Sequence, residues 1–305
     1  MTAATKTIEQ RKIKARRVRL AAVPYLLLLP AMLAMAAVSL YPMIDGARAS
    51  LHKYRYGIDA GYTGVENFRN IYNDAVFWQA VETTIRFILI AVSIETVLGL
   101  LLALLVAREL RFLGLIRVTL ILPMTIAPVV VGVIWRLLYA SNIGIIDPLF
   151  RLLGLGTPDV LAHPTSAFVG LVAVDVWEWT PLIFLIILAG LESMPQDPLE
   201  AARVDGASAL QVFFHHKLPL LRPVLLVAVV LRTIDAAGTF DQIFVLTKGG
   251  PGTATQLIAI YSYNTAFLFN QYGHAMAMMI SLLAFLLLLM VAAVHLMRRS
   301  SELLE

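Results

Sequence analysis

The sequence predicts an all-α polytopic membrane protein, on three observations. The chain has 305 residues, 59% of them hydrophobic and only 14% charged, with mean hydropathy +0.80, a balance foreign to soluble domains of this length. Apolar runs long enough to cross a bilayer recur along it. The compact Lys/Arg clusters fall only between alternate runs, which six transmembrane helices with both termini cytoplasmic would explain, because short basic segments stay inside. There is no cysteine, so disulfides, thiolate catalysis and cysteine-ligated metals are excluded.

Residues 1–20 form a basic tail with Lys6, Arg11, Lys12, Lys14, Arg16, Arg17 and Arg19 against Glu9 alone. Such a charge run sets topology. The first span is expected at 21–42; at about 1.5 Å per residue it covers a hydrocarbon core of about 30 Å. It is too long for a signal h-region and has no small-residue cleavage pattern behind it. Residues 45–80 mix Tyr54, Tyr56, Tyr62, Tyr72, Phe77 and Trp78 with charges of both signs, as expected of short amphipathic helices along the outer surface.

A second span at 81–107 ends on Arg108, Glu109, Arg111 and Arg117, a positive inner loop. The third, at 118–140, carries Pro123 and Pro128, tolerable in lipid only where neighbours satisfy the freed carbonyls. An outer segment at 141–164 is rich in Gly and Pro, and the fourth span, 166–191, carries Asp175 and Glu178 beside Trp177 and Trp179. The fifth and sixth spans fall at 220–240 and 274–297, flanking an outer segment at 241–273, and Arg298 and Arg299 lead into a cytoplasmic tail at 300–305. With no fixed-period repeat or low-complexity linker, residues 21–299 read as one domain.

A polar interruption at 192–219 separates the fourth and fifth spans. Asp197 stands where an N-cap would, Pro198 at the first helical position, and Glu200 three residues after the cap, as in a capping box. Gly206 supplies a left-handed stop. A second short helix is expected over 208–217, where Leu210, Phe213, Phe214 and Lys217 recur at helical spacing; Pro219 and Pro223 then mark the start of the fifth span. Two helices meeting at a glycine make an L-shaped knob. Ala201, Ala202 and Ala207 are small enough for it to sit deep in a groove, while Glu200, Arg203 and Asp205 offer charged contacts. The alternative is a loop whose helices lie on the membrane surface.

Glu200-Ala201-Ala202, then Asp205-Gly206, then Leu218-Pro219, resembles the EAA loop of ATP-binding cassette importer permeases. A second match runs through Thr239-Phe240-Asp241-Gln242 to Lys248-Gly249-Gly250-Pro251, with Ala254-Thr255 and Tyr261-Ser262-Tyr263 beyond. It is similar to the carbohydrate-uptake branch, first permease of the pair, as in maltose and glycerol-phosphate importers. The resemblance covers Pro24 to Arg299, with no counterpart of the maltose-type member's extra amino-terminal spans and large outer domain. It implies a type I importer in the bacterial cytoplasmic membrane, in which a heterodimer of two permease subunits meets two nucleotide-binding ATPase subunits and an extracytoplasmic sugar-binding protein. ATP and Mg would belong to those ATPase subunits, and this chain would bind no cofactor. Glu200 would pair with a basic residue in the ATPase cleft that takes the coupling helix. Arg203-Val204 is the departure from a plain Glu-Ala-Ala-Leu-Asp-Gly run and slightly alters the charge of the docking face.

Carboxylates within spans face cavities or partners. Glu178 could bond sugar hydroxyls while Trp177 and Trp179 stack on a pyranose; the alternative is helix packing. Asp235, Thr239, Phe240, Asp241 and Gln242 match the region lining the sugar path in the maltose-type relative. Arg232 lies three residues before Asp235 and pairs with it on the simpler reading. Glu82, Arg86 and Glu95 are expected at membrane-edge or interhelical contacts. Lys248-Gly249-Gly250-Pro251 lacks the Gly-Lys-Ser/Thr ending of a phosphate loop and reads as an outer gate or binding-protein contact. His52, His163, His215, His216, His274 and His295 show no metal spacing, and no nucleophile-base pair or nucleic-acid site is visible. Acids and Trp in the path suit a neutral di- or oligosaccharide, and overall similarity to the trehalose importer of mycobacteria suggests trehalose. A glycerol-phosphate or polyol permease, and a proton-coupled carrier using Glu178, Asp235 and Asp241, are the alternatives.

Overall fold

A computed structural model describes residues 25, 27–107, 113–141, 143–154 and 156–302. The basic tail at 1–20, the loop residues Arg108, Glu109 and Arg111, and the last three residues lie outside the described residues.

Helix α1, Leu27–Ser50, is apolar up to Ile44, carries Asp45 and Arg48 near its end, and loosens into a π-turn at Ala36–Leu40. The segment after it departs from expectation. It folds as an antiparallel hairpin, β1 His52–Arg55 and β2 Ile58–Tyr62, rather than as helices alone. Tyr56 and Gly57 form a two-residue turn with φ +53 and +78, the backbone hand that suits twisted strands. One expected helix does follow, α2, Glu66–Tyr72.

Helix α3, Ala75–Val106, begins six residues before the expected span because Asp74 caps it, accepting from the N–H groups of Val76 and Phe77. The third span is not one helix. It is α4, Leu113–Ile121, a 3₁₀ turn at Leu122–Thr125, and α5, Pro128–Leu138, with a bend of 94° between the halves. Pro128 is the cause: the residue before a proline is pushed out of the helical region, and Ala127 is extended at ψ 135. A short α6, Ile146–Leu152, leads to α7, Pro164–Glu192.

The polar interruption at 192–219 holds α8, Asp197–Val204, and α9, Ala209–Val212. A π-turn at Phe213–Lys217 then runs without a break into α10, Leu218–Ala237. Pro219 lies in the first turn of α10, at the expected entry to the fifth span, although the backbone stays helical through the junction. After α10 come α11, Asp241–Leu246, α12, Ile258–Tyr263, and α13, Tyr272–Glu302.

Among the described residues, α1, α3, α7 and the Tyr272–Ala292 part of α13 are each long and apolar enough to cross a membrane, and the bent α4–α5 pair makes five. Helix α10 falls short on composition, since Arg222, Arg232 and Asp235 lie within its 20 residues.

Helices α3 and α7 run parallel and form the spine. Gly99 permits their contact: a Cβ there would lie 2.8 Å from Ile183 Cγ2 and 3.0 Å from the Phe184 nitrogen, the small-residue packing that replaces hydrophobic drive between membrane helices. Two apolar cores stack along the spine. One gathers Phe87, Leu171, Ile243 and Ile260 near the hairpin end. The other gathers Ile183, Ile187 and Leu221 with Leu199 and Val212 of the polar interruption. Helix α10 runs antiparallel between them, with Leu221 in one core and Ala236 in the other.

Candidate functional site

At the coupling end, α8 and α9 form the expected knob, with one correction to its caps. The N-cap of α8 is Gln196 and no side chain caps it, so the expected Asp197–Glu200 box is not made. Asp197 and Glu200 lie instead in the first turn, where carboxylates favour the positive end of the helix. The stop is as expected. Gly206 sits at φ +85; its N–H donates to Arg203 O at 3.1 Å, and that of Ala207 to Ala202 O at 3.0 Å, the paired bonds of a Schellman end. A true capping box opens the second arm: Ser208 Oγ accepts from the Gln211 N–H, and Gln211 Oε1 from the Ser208 N–H at 2.8 Å.

Leu199 and Ala202, three residues apart on one face, are buried in the chain's own core. Ala202 is therefore not available to a partner's groove, which corrects its expected role. Glu200, Ala201, Arg203, Val204, Asp205 and Gly206 face outward, and Leu218 and Pro219 are half-buried at the root of α10. Arg117 of α4 donates to Glu192 at 2.5 Å, which braces the start of the knob against the bent helix.

Inside the bundle, Arg232 is fully buried and holds three carboxylates from three helices. Its Nε and Nη2 donate to Glu95 of α3 at 2.8 and 3.2 Å, Nη2 donates also to Asp175 of α7, and Nη1 to Asp235 at 2.8 Å. Gln242 of α11 donates to the other oxygen of Asp175 at 2.8 Å. The guanidinium also lies 5.2 Å from the Trp179 ring centroid, within cation–π range. The expected Arg232–Asp235 pair and an interhelical role for Glu95 are both present. Their convergence with Asp175 and Gln242 was not visible in the sequence.

The remaining path residues separate. Trp177 packs edge-on to Trp135 at 5.6 Å and borders a cavity of about 620 Å³ lined almost wholly by apolar groups such as Ile94, Leu98, Pro123 and Phe184. That lining offers little to hydroxyl groups. Trp179 faces Arg232, so the two indoles do not flank a common space beside Glu178, which is itself fully buried. Asp235 differs from its partners, its side chain being 47% exposed while Glu95 and Asp175 are enclosed. Thr239 lies one turn on, its hydroxyl at 3.4 Å from Asp235 O, and Asp241 is exposed at the start of α11. Phe240 stacks on Phe244 with ring centroids 5.2 Å apart. The Lys248–Pro251 turn is laced in place by Thr255, whose hydroxyl donates to Gly250 O and meets the Thr247 hydroxyl at 2.7 Å. Lys248 is exposed, and Gly249 is buried.

The described residues thus form a bundle of long apolar helices with a buried ion network at its centre and a short, outward-facing polar helix at one end. The chain belongs to the family described as binding-protein-dependent transport system inner membrane component, whose model matches residues 95–302. It is 36% identical to the trehalose/maltose transport system permease protein MalF of Thermococcus litoralis, over 93% of this chain and 95% of that protein. It is 34% identical to the trehalose transport system permease protein SugA of Mycobacterium tuberculosis, over 86% and 83%. Among solved structures, a bacterial ABC transporter that imports the acidic polysaccharide alginate superposes with TM-score 0.80 over 93% of this chain and 98% of that one, at 21% identity. The ATP-hydrolysing function in this family resides on a separate subunit.

Proposed function

We propose that this chain is one permease subunit of an ATP-driven importer for a neutral di- or oligosaccharide, with trehalose the leading candidate. The observation that carries the reading is the knob: a rigid, outward-facing helix with Glu200, Arg203 and Asp205 exposed and its inner face anchored in the bundle. In this reading α8 docks in a cleft of a nucleotide-binding subunit that holds ATP and Mg, and Glu200 pairs there with a basic residue. A second, different permease subunit completes the path, and an extracytoplasmic binding protein delivers the sugar. Six spans cross the membrane, with both termini cytoplasmic. Helix α10, the fifth span in chain order, brings the count to six, its Arg232 neutralised inside the bundle as charges in lipid require.

Motion of the ATPase pair would move α8, and the anchoring of Leu199 and Val212 beside Leu221 would pass that motion to α7 and α10. A two-state element of this kind is biased by contacts that differ between states. Asp235, Thr239 and Asp241 are the residues proposed to meet sugar hydroxyls, with Glu178, Trp177 and Trp179 lining the path only in a conformation that opens it. A phosphorylated substrate is disfavoured, because the buried Arg232 already serves three carboxylates. The names of the relatives support trehalose or maltose as substrate class. Calorimetry of the cognate binding protein against trehalose, maltose and glycerol phosphate tests the assignment: saturable binding of trehalose is expected, and binding of glycerol phosphate alone would contradict it.

A further inference from the structure

Glu178 is an acid that the enclosed bundle leaves without any partner. It sits at the middle of α7 and is 1% exposed. Among the described residues it is the one carboxyl group with both oxygens buried and no hydrogen-bond partner for either. The groups around it supply no counter-charge. Those that face it are Arg232 and Asp235 from α10 and Asp175 from its own helix. The three guanidinium nitrogens of Arg232 are engaged by Glu95 of α3, Asp175 and Asp235, so one cation already stands among three carboxylates. The other cations on helices packed against α7 are committed elsewhere: Arg86 of α3 pairs with Glu82, Arg117 of α4 with Glu192, and Arg136 of α5 donates to Val245 O. A metal ion does not fill the role either, because no three His, Asp or Glu side chains among the described residues are placed to share one.

A carboxylate enclosed with neither donor nor counter-ion costs far more than the neutral acid in the same place, and such a group takes up a proton rather than stay charged. We propose that Glu178 is a proton-binding site whose occupancy follows the conformation of the bundle: it holds a proton when enclosed, as here, and returns it to water when the path opens around it. The opening half of this cycle rests on the permease reading above; the neutral acid in the enclosed bundle does not. As the path closes, a hydronium ion in it gives its proton to the carboxylate and leaves a water molecule, with no other bond changed. The proton acts as a counter-charge, and ATP remains the source of energy. One residue can then serve two states, accepting from sugar hydroxyls when ionised in the open path and sealed without a partner when neutral. The chain's own helices cover the carboxyl in this state, so lipid and other subunits do not reach it. Because the enclosed state binds the extra proton, each unit fall in pH favours it by up to about tenfold, and each unit rise favours the open state.

The test uses the complete transporter in nanodiscs. Infrared spectra at neutral pH should contain the carbonyl band of a protonated carboxyl that Glu178→Gln removes. That variant is a neutral isostere of the protonated acid, so it should insert normally and melt within a few degrees of the unaltered protein. Binding of a non-hydrolysable ATP analogue in weak buffer, followed with an indicator dye, should exchange roughly one proton per transporter, and the exchange should vanish in Glu178→Gln. An unaltered transporter without the band overturns the proposal before any variant is made. A band or a proton count that persists in Glu178→Gln overturns it too, as does failure of that variant to insert, which would make the negative charge itself structural. Each of these results leaves the permease reading intact. A chain that keeps the band yet assembles with no ATPase subunit would sink that reading instead.

Discussion

The knob at the coupling end and the Arg232 network in the bundle are both polar structures in an apolar chain, yet they are stabilised in opposite ways. In the knob the capping bonds are local. The Schellman bonds join residues 203 to 206 and 202 to 207, and the capping box joins 208 to 211. Its charges stay in water, so no desolvation must be overcome. In the network the partners of Arg232 stand 137, 57 and 3 positions away along the chain, and all but Asp235 are enclosed. Removing charges from water is costly, and the network persists because Coulomb attraction and several hydrogen bonds act together in a low dielectric. Damage to the knob should therefore disturb the proposed coupling while sparing the fold. Damage to the network should disturb the fold first.

Breaking the network is the larger perturbation. Arg232→Met would leave Glu95 and Asp175 buried without their cation, a loss of about 3–5 kcal/mol. Reduced yield of folded protein and a lower melting temperature in detergent are expected; wild-type values for both would show that the network is not a structural centre. Gly99→Val comes next. Its added methyl groups meet Ile183 and the Phe184 backbone, and overpacking of this kind costs about 1–3 kcal/mol, readable as a melting shift without change in the polar network. At the knob, Ser208→Ala removes half the capping box, at about 0.5–2 kcal/mol of local stability. Faster amide exchange confined to residues 208–217 should follow, and global exchange would contradict the local account.

The smallest effect belongs to the hairpin. The Gly61 N–H, with His52 beside it, holds the Asp59 carboxyl below its ordinary value of 3.8. A depressed carboxylate stabilises above the unfolded pKa, and that contribution is lost as pH falls through the folded one. Amide protection of β1 and β2 should therefore hold down to pH 4 and decline below it. Asp59→Asn should flatten that decline, and an equal decline in the variant would remove Asp59 as its cause.

The contrast also explains what could be read from sequence. The knob was legible because Pro198, Gly206 and the alanines act within one or two turns, although the cap fell on Gln196 and Ser208 rather than Asp197. The Arg232–Asp235 pair was legible from its spacing, but Asp175 and Gln242 meet it only through helix packing, which no local signal encodes. Pro123 and Pro128 flagged trouble in the third span without giving the 94° bend, since its size depends on what α5 packs against. The hairpin was hidden because Tyr56-Gly57 replaces the usual Asn-Gly turn, and its tyrosines read equally well as interfacial aromatics.

The central claim is that ATP-driven motion enters this chain through α8, and one measurement addresses it most directly. Gly206→Pro forces a φ near −65° where +85° is required and removes the N–H that bonds Arg203 O. In cells matched for membrane-inserted protein, sugar uptake by this variant should fall to background, while the purified chain melts within a few degrees of the unaltered one. Uptake at the unaltered rate, with the variant inserted at equal level, would contradict the account.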